Sequence, residues 1–127
     1  MCRMVDPGPE TIERRTQLLR GVLDMCILAL LDQAPAHGYE LVRRLNAAGL
    51  DAVGYGTAYP LLTRMHRLGL VANELRASPT GPERKVYALT EAGRQALTSW
   101  TAQWTQFVEL INTTLISTAS PISRTEA

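Results

Sequence analysis

The sequence has few of the residues that mark secreted, metal-binding or membrane-spanning proteins. It contains only two cysteines, Cys2 and Cys26, and their positions fit neither a disulfide framework nor the ligand spacing of a metal site. The longest apolar run, residues 22–31, is interrupted by Asp24 and is far shorter than the roughly 20 residues that span a bilayer. Residues 1–11 hold two prolines and no apolar segment, unlike a secretory signal. We therefore expect a cytoplasmic protein.

The chain also lacks a strong excess of either charge. Thirteen Lys and Arg residues stand against twelve Asp and Glu residues, for a formal net charge of +1, which excludes a polybasic tail or an acidic solvating segment. Residues 11–90 nevertheless hold ten basic residues against seven acidic ones, and all of these basic residues except Lys85 are Arg. Arg pairs with phosphates and with guanine edges. Any binding of nucleic acid must therefore depend on local charge.

No arrangement of residues suggests catalysis. The sequence shows no nucleophile, His and carboxylate at suggestive spacing, no phosphate-binding loop and no cluster of metal ligands. With 127 residues, of which 46% are hydrophobic, the chain is typical of one folded domain. We expect a protein that is not an enzyme and that uses no metal or cofactor.

Apolar periodicity and turn residues predict a mainly α fold with one β-hairpin. The predicted elements are a flexible lead-in over residues 1–10, a buried helix over 18–31, a helix over 39–48 that Gly49 ends, a helix that Thr57 caps and Gly69 ends, strands over 70–76 and 84–89, a long helix over 91–117 that Thr90 caps, and a flexible tail over 121–127.

Spacing within these elements predicts which side chains point inward. In the third helix the inward residues are Leu61, Leu62, Met65 and Leu68. In the second strand, alternation predicts Val86 with Ala88 or Leu89 inward, and Lys85 with Tyr87 on the other face.

Three helices followed by a two-stranded hairpin are the order of a winged helix-turn-helix, in which the third helix enters the major groove of DNA. We therefore predict a winged helix-turn-helix domain over residues 11–90, followed by a C-terminal dimerisation and effector-binding helix over residues 91–120.

The chain resembles the PadR family of bacterial transcriptional regulators over roughly residues 18–97. The resemblance is carried by Leu19-Arg20-Gly21, His37-Gly38-Tyr39-Glu40, the segment Gly56-Thr57-Ala58-Tyr59-Pro60-Leu61-Leu62-Thr63-Arg64-Met65, Gly69-Leu70-Val71, and the segment from Arg84 to Gly93. It implies a homodimeric repressor that binds a dyad-symmetric operator and is released by a small molecule. Because it has a single C-terminal helix, the chain resembles the smaller subgroup of the family. Members of this subgroup often sense aromatic or multidrug compounds and control efflux, resistance or detoxification genes.

The candidate DNA-binding residues lie on the predicted third helix, the turn before the second helix and the wing. Residues of a helix that enters the groove reach base edges, and hydroxyls and Arg can pair with bases; the resemblance points to Tyr39 as a contact to the DNA backbone. The predicted set is Tyr39, Thr57, Tyr59, Thr63, Arg64, Arg67, Arg84 and Lys85. We expect Arg64 to read bases, and Thr57 and Tyr59 to hold phosphates.

The last helix carries an apolar seam with two tryptophans. Indole faces stack on planar ligands, and a two-fold dimer presents each of them twice, but the same seam can equally be plain dimer packing. The predicted effector-binding residues are Trp104, Trp100, Phe107, Leu18, Val22 and Met25, and the predicted dimer residues are Leu97, Ile111 and Leu115.

Two alternatives remain open. The fold could bind another protein through its outer face, with the tryptophans forming a partner groove. It could also bind DNA without any small-molecule effector, in which case Trp104 belongs to the core.

Overall fold

The computed structural model describes the backbone of residues 8–50 and 53–119, and side chains up to residue 117. The element order is α1 (Pro9–Arg20), α2 (Leu23–Gln33), β1 (Ala36–His37), α3 (Gly38–Ala47), α4 (Tyr55–Arg67), β2 (Val71–Ser78), β3 (Gly81–Leu89) and α5 (Glu91–Ala119). Helix α1 begins inside the predicted lead-in. Cys2, the rest of that lead-in and the predicted tail lie outside the described residues. Among the helices in these ranges, none has the length and apolarity needed to cross a membrane.

The helix predicted over residues 18–31 is in fact two helices. The amide of Gly21 donates to the carbonyl of Leu18 at 3.3 Å, and Val22 leaves helical geometry with φ −126° and ψ −4°. The two segments differ in burial: α2 buries four residues, Leu23, Ile27, Leu28 and Leu31, whereas α1 buries none. Only α2 is therefore central to the core.

Helices α3 and α4 both end at a glycine, as the sequence predicts. Gly49 and Gly69 adopt positive φ, 97° and 81°, a conformation that glycine tolerates without strain. After each glycine the chain turns back, with the amide of Leu50 bonded to Leu45 and that of Leu70 to Met65. These bonds satisfy the last carbonyls of each helix.

The start and inner face of α4 differ from prediction. Gly54 is the N-cap, so the helix begins before Thr57 and the predicted capping role of Thr57 is wrong. Leu62 and Met65 are buried as predicted, but Leu68 is 61% exposed because the helix ends there and the chain reverses. Ala58 takes the inward position and is completely buried.

The hairpin belongs to a three-stranded antiparallel sheet in the order β1-β3-β2. The sequence predicted only a turn at β1, where Ala36 pairs with Tyr87. The predicted outward position of Tyr87 is wrong: it is 2% exposed, whereas Val86 and Ala88 are only half-buried. Residues 86–89 are apolar on both faces of the strand, so their alternation does not reveal which face packs on the helices.

Thr90 links the wing to α5. Its hydroxyl accepts the amide of Gly93 at 3.0 Å, which confirms the predicted cap, and donates to the carbonyl of Gly69 at 2.7 Å. Arg94 pairs with Asp32 of α2 at 2.8 Å. The first turns of α5 are therefore anchored to the core, and the remainder of this 29-residue helix extends beyond it with mostly exposed side chains.

Candidate nucleic-acid interface and groove

Helix α4 has one face in the core and one face outside. Its buried residues are Ala58, Leu62 and Met65. Tyr59, Thr63 and Arg67, all exposed, follow one another at four-residue spacing and so lie on one stripe of the helix. Thr57 is also exposed. The predicted contact residues of α4 are therefore accessible.

Tyr55 joins the candidate residues of α3 and α4. The rings of Tyr39 and Tyr55 are stacked with centroids 4.5 Å apart, and Tyr59 lies 5.4 Å from Tyr55. A Cβ at Gly38 would lie 2.3 Å from a Tyr55 ring carbon, so this close approach requires glycine. We call Tyr39, Tyr55 and Tyr59 the tyrosine cluster. Sequence analysis missed Tyr55, although its position four residues before Tyr59 places both on the same helix face.

The environment of Tyr55 keeps its phenol protonated. Burial raises the pKa of Tyr55 above its usual range, and the neighbouring Tyr59 and Tyr39 add to the effect. A protonated phenol is a hydrogen-bond donor. Tyr55 can therefore donate a hydrogen bond to a phosphate oxygen.

The start of α3 is neutralised locally. His37 caps the helix, its Nδ1 accepting the amide of Glu40 at 3.2 Å. Hydrogen bonds and charge from Arg43, and then from Arg44, hold the pKa of Glu40 below its usual range despite partial desolvation. Arg44 also donates to the carbonyl of Ala34 at 2.9 Å. The carboxylate that lies beside Tyr39 is therefore paired with two guanidinium groups.

Arg64 is turned toward α2. Its Nη2 lies 3.3 Å from Oδ2 of Asp24, in an ion pair between residues 40 positions apart in the sequence. The Arg64 side chain remains 50% exposed. The residue that we expected to read bases is thus engaged with a carboxylate of its own chain.

In the wing, Arg84 and Lys85 are adjacent and exposed but point to opposite faces of β3, because strand side chains alternate. Arg84 lies opposite Arg76 of β2, and its Nη1 is 3.1 Å from Nε2 of His37. A neutral imidazole has one acceptor nitrogen, so His37 accepts from only one of Glu40 and Arg84 at a time. Of the two basic residues of the wing, Arg84 thus has a contact to His37 within its own chain.

A groove of about 570 Å³ lies between the α1–α2 junction and α5. All six predicted effector-binding residues line it, so the structure brings together side chains from three helices. The complete lining is Gln17, Leu18, Gly21, Val22, Asp24, Met25, Trp100, Gln103, Trp104, Phe107 and Ile111. Trp104 is 43% exposed and Phe107 56% exposed, which leaves their rings accessible from the groove.

The three predicted dimer residues occupy different environments. Leu97 packs against the core of its own chain, Ile111 lines the groove, and Leu115 is 59% exposed. Leu110 and Ile116 are also exposed. The C-terminal half of α5 therefore presents several exposed apolar side chains to another molecule.

Comparisons with known proteins agree with this architecture. Residues 27–99 match the transcriptional regulator PadR-like family. The PadR-like transcriptional regulator from Bacillus cereus strain ATCC 14579 is 39% identical with a TM-score of 0.70, and the match covers 78% of this chain and 96% of that one. For the PadR family transcriptional regulator from Eggerthella lenta DSM 2243 the identity is 33%, the TM-score 0.75 and the coverage 81% and 89%.

A curated relative matches over a shorter region. The transcriptional regulator Rv3488 of Mycobacterium tuberculosis is 44% identical over 62 residues, which are 49% of this chain and 56% of that protein. The family match spans more than half of the chain, and the two structural relatives are covered almost completely. This chain belongs to the PadR-like family of transcriptional regulators, which are DNA-binding proteins and not enzymes.

Proposed function

We propose that this protein is a homodimeric repressor that binds a dyad-symmetric operator through α4 and is released by a planar aromatic compound. The observation that carries the DNA contact is the two-sided character of α4, which is anchored in the core along one side and exposes Tyr59, Thr63 and Arg67 along the other. A helix presented in this way suits the major groove. The protein would act in the cytoplasm and control genes for resistance, efflux or detoxification. The products of these genes would remove the compound that releases the repressor from DNA.

The remaining contacts follow from position around α4. We assign Thr57 and the tyrosine cluster to phosphates, because phosphate contacts set the register of a protein on DNA. Lys85 and Arg84, on opposite faces of the wing, would each hold a separate phosphate. Arg64 is on the same helix, but its guanidinium is paired with Asp24.

Dimerisation is proposed from the exposed apolar half of α5. Large exposed apolar patches on soluble proteins mark interaction surfaces, and a copy of the same helix offers the same residues in return. A two-fold axis at this helix would give two copies of α4, which must lie about 34 Å apart to read successive major grooves.

Release by a ligand is proposed from the groove. Trp104, Trp100 and Phe107 offer flat faces for stacking, and Leu18, Val22 and Met25 offer apolar walls. Because α5 lines both the groove and the proposed dimer surface, a ligand could change the separation of the two α4 helices. It would weaken operator binding only as far as it prefers the altered separation.

The DNA half is tested by selecting binding sequences from random duplex DNA and measuring their affinities. We expect an inverted repeat, and we expect Arg67→Ala to weaken binding about tenfold or more and to reduce its salt dependence. Arg14→Ala, an exposed Arg on α1, is the matched control and should retain affinity. Selection that yields no common sequence would contradict operator binding and favour the protein-interaction alternative.

The ligand half is tested by titrating the protein with planar aromatic antibiotics, dyes and phenolic acids while following tryptophan emission and operator binding. Saturable quenching that coincides with release is expected, and Trp104→Leu should weaken ligand binding about tenfold. Gln106→Ala, on the same helix but outside the groove lining, is the control. If DNA binds and no compound quenches, the protein is a regulator without such an effector.

A further inference from the structure

Asp24 of α2 lines the groove and also contacts the proposed DNA-binding helix α4. Asp24 is one of the residues that line the groove, and its Oδ2 lies 3.3 Å from Nη2 of Arg64 on α4. Oδ1 accepts the amide of Met25 at 2.7 Å, which holds the carboxylate in place. The Asp24 side chain is 23% exposed. The same acidic residue therefore contacts Arg64 and lines the groove.

Asp24 also gives the groove its charge. Among the side chains that line it, Asp24 is the only ionisable one, and the polar remainder are the amides of Gln17 and Gln103. The lining holds no Lys, Arg or His, and the cation paired with Asp24 is Arg64, which lies outside the lining. A cation in the groove can therefore compete for this carboxylate, whereas an anion cannot. The faces of Trp100 and Trp104 also attract a positive group.

We propose that the groove takes a planar aromatic cation, and that the positive group of this ligand replaces Arg64 as the partner of Asp24. This inference rests on the ligand half of the proposed function and adds the charge of the ligand and its connection to α4. Arg64 is the only described cation that the structure pairs with Asp24. Occupancy of the groove would thus release a guanidinium on α4.

We call this replacement of Arg64 by the ligand the exchange. It predicts an effect of Arg64, a residue that does not line the groove. If Arg64 and the ligand compete for one carboxylate, removing the Arg64 charge must tighten binding of the cation. Removing the carboxylate must weaken it. The two substitutions should therefore act in opposite directions, and neither should affect a neutral ligand of the same shape.

The test compares three size-matched probes without DNA, by calorimetry and tryptophan quenching on the full chain. The probes are 9-aminoacridine, which is a cation at neutral pH, acridine, which is neutral, and acridine-9-carboxylate, which is an anion. Wild-type protein should prefer them in that order. Asp24→Asn should weaken 9-aminoacridine about fivefold and leave acridine unchanged.

Arg64→Gln should tighten 9-aminoacridine about 2- to 5-fold, the range that an exposed ion pair contributes. Arg64→Lys, which keeps the charge, is its matched control and should change binding less. In the double variant Asp24→Asn/Arg64→Gln, the effect of Arg64→Gln should vanish, because its partner is gone. Circular dichroism melts establish that each variant is folded.

The outcomes separate this inference from the proposed function. If all three probes bind equally, or if Arg64→Gln weakens the cation, the exchange is wrong while the groove remains a ligand site. If no probe binds the wild-type protein, both the exchange and the ligand half of the proposed function are overturned. The proposal that the protein binds an operator through α4 stands under either result, because these measurements contain no DNA.

Discussion

At the scale of single residues, the DNA-binding surface depends on one close approach between helices. Gly38 opens α3 and leaves room for the ring of Tyr55, which stacks on Tyr39 and makes a tilted contact with Tyr59. The tyrosine cluster therefore couples the first turn of α3 to the first turns of α4. The two helices are held in register by aromatic faces as well as by the core beneath them.

Gly38→Ala should lower stability by about 1–3 kcal/mol, because the new methyl group meets the Tyr55 ring and displaces it. Gly56→Ala is the matched control, since a Cβ at Gly56 meets nothing within 4 Å. It should be neutral or stabilise by up to about 1 kcal/mol through helix propensity. Thermal melts compare the two, and equal stabilities would contradict this account of Gly38.

Burial of Tyr87 predicts how stability changes at alkaline pH. Burial raises the pKa of Tyr87, with a smaller contribution from Tyr55 and Tyr59, and burial likewise raises the pKa of the Cys26 thiol, with the Asp24 charge adding to it. A raised pKa means that the unfolded chain loses these protons first as pH rises. The contribution of these groups to the free energy of unfolding is therefore fully present below their ordinary pKa values, and it declines as the pH rises above them.

The measurement is a series of urea denaturation curves between neutral pH and about pH 10.5. We expect a falling midpoint at the alkaline end, and a shallower decline in Tyr87→Phe, which keeps the ring and removes the titrating hydroxyl. If the midpoint of Tyr87→Phe falls as steeply as that of the wild-type protein, groups other than Tyr87 cause the loss of stability.

At the scale of elements, the start of α5 is the point where the wing, α4 and the long helix meet. Thr90 bonds to Gly93 within the helix and to Gly69 after α4. A Cβ at Gly93 would lie 2.0 Å from the carbonyl oxygen of Leu70, so the helix backbone packs directly on the loop. The direction in which α5 leaves the domain is set by these contacts.

Thr90→Ala should destabilise the fold by about 1 kcal/mol, the typical effect of losing an N-cap. Thr98→Ala is the control: its exposed hydroxyl bonds only to Arg94 one turn earlier, and alanine favours the helix. Chemical denaturation measures both. The interpretation fails if Thr98→Ala is the more damaging change.

At the scale of the whole molecule, α5 extends past the core with its apolar side chains exposed. Trp104, Phe107 and Ile111 border the groove, and Leu115 and Ile116 lie beyond it. A second copy is the proposed cover for the part beyond the groove. Dimerisation, ligand binding and operator spacing would then share one helix.

Leu115→Glu should shift the protein from dimer toward monomer in sedimentation velocity and weaken operator binding by at least tenfold, because burying the new charge is costly. Gln106→Glu introduces the same charge on the opposite side of the helix and should leave the dimer intact. A Leu115→Glu protein that remains fully dimeric would place the interface elsewhere.

Much of the fold follows from local signals. Gly49 and Gly69 end helices because few other residues tolerate their φ, Thr90 caps α5 through its own hydroxyl, and the turn residues between the strands make a hairpin. The apolar spacing of α3, α4 and α5 places these helices within a few residues of their bounds. Such features depend on neighbours in the chain and are therefore readable from it.

The remaining features arise from contacts between distant segments. Tyr87 packs into the core cluster with residues of α2, α3 and α4, although residues 86–89 are apolar on both faces, and β1 exists only through its pairing with β3. Arg64 meets Asp24 across 40 positions, which no local spacing reveals. The break at Gly21 brings Leu18, Val22 and α5 around one groove. The residue types in the sequence suggest a ligand groove and a DNA-binding surface. Only the packing of the helices against one another determines which side chains share a surface.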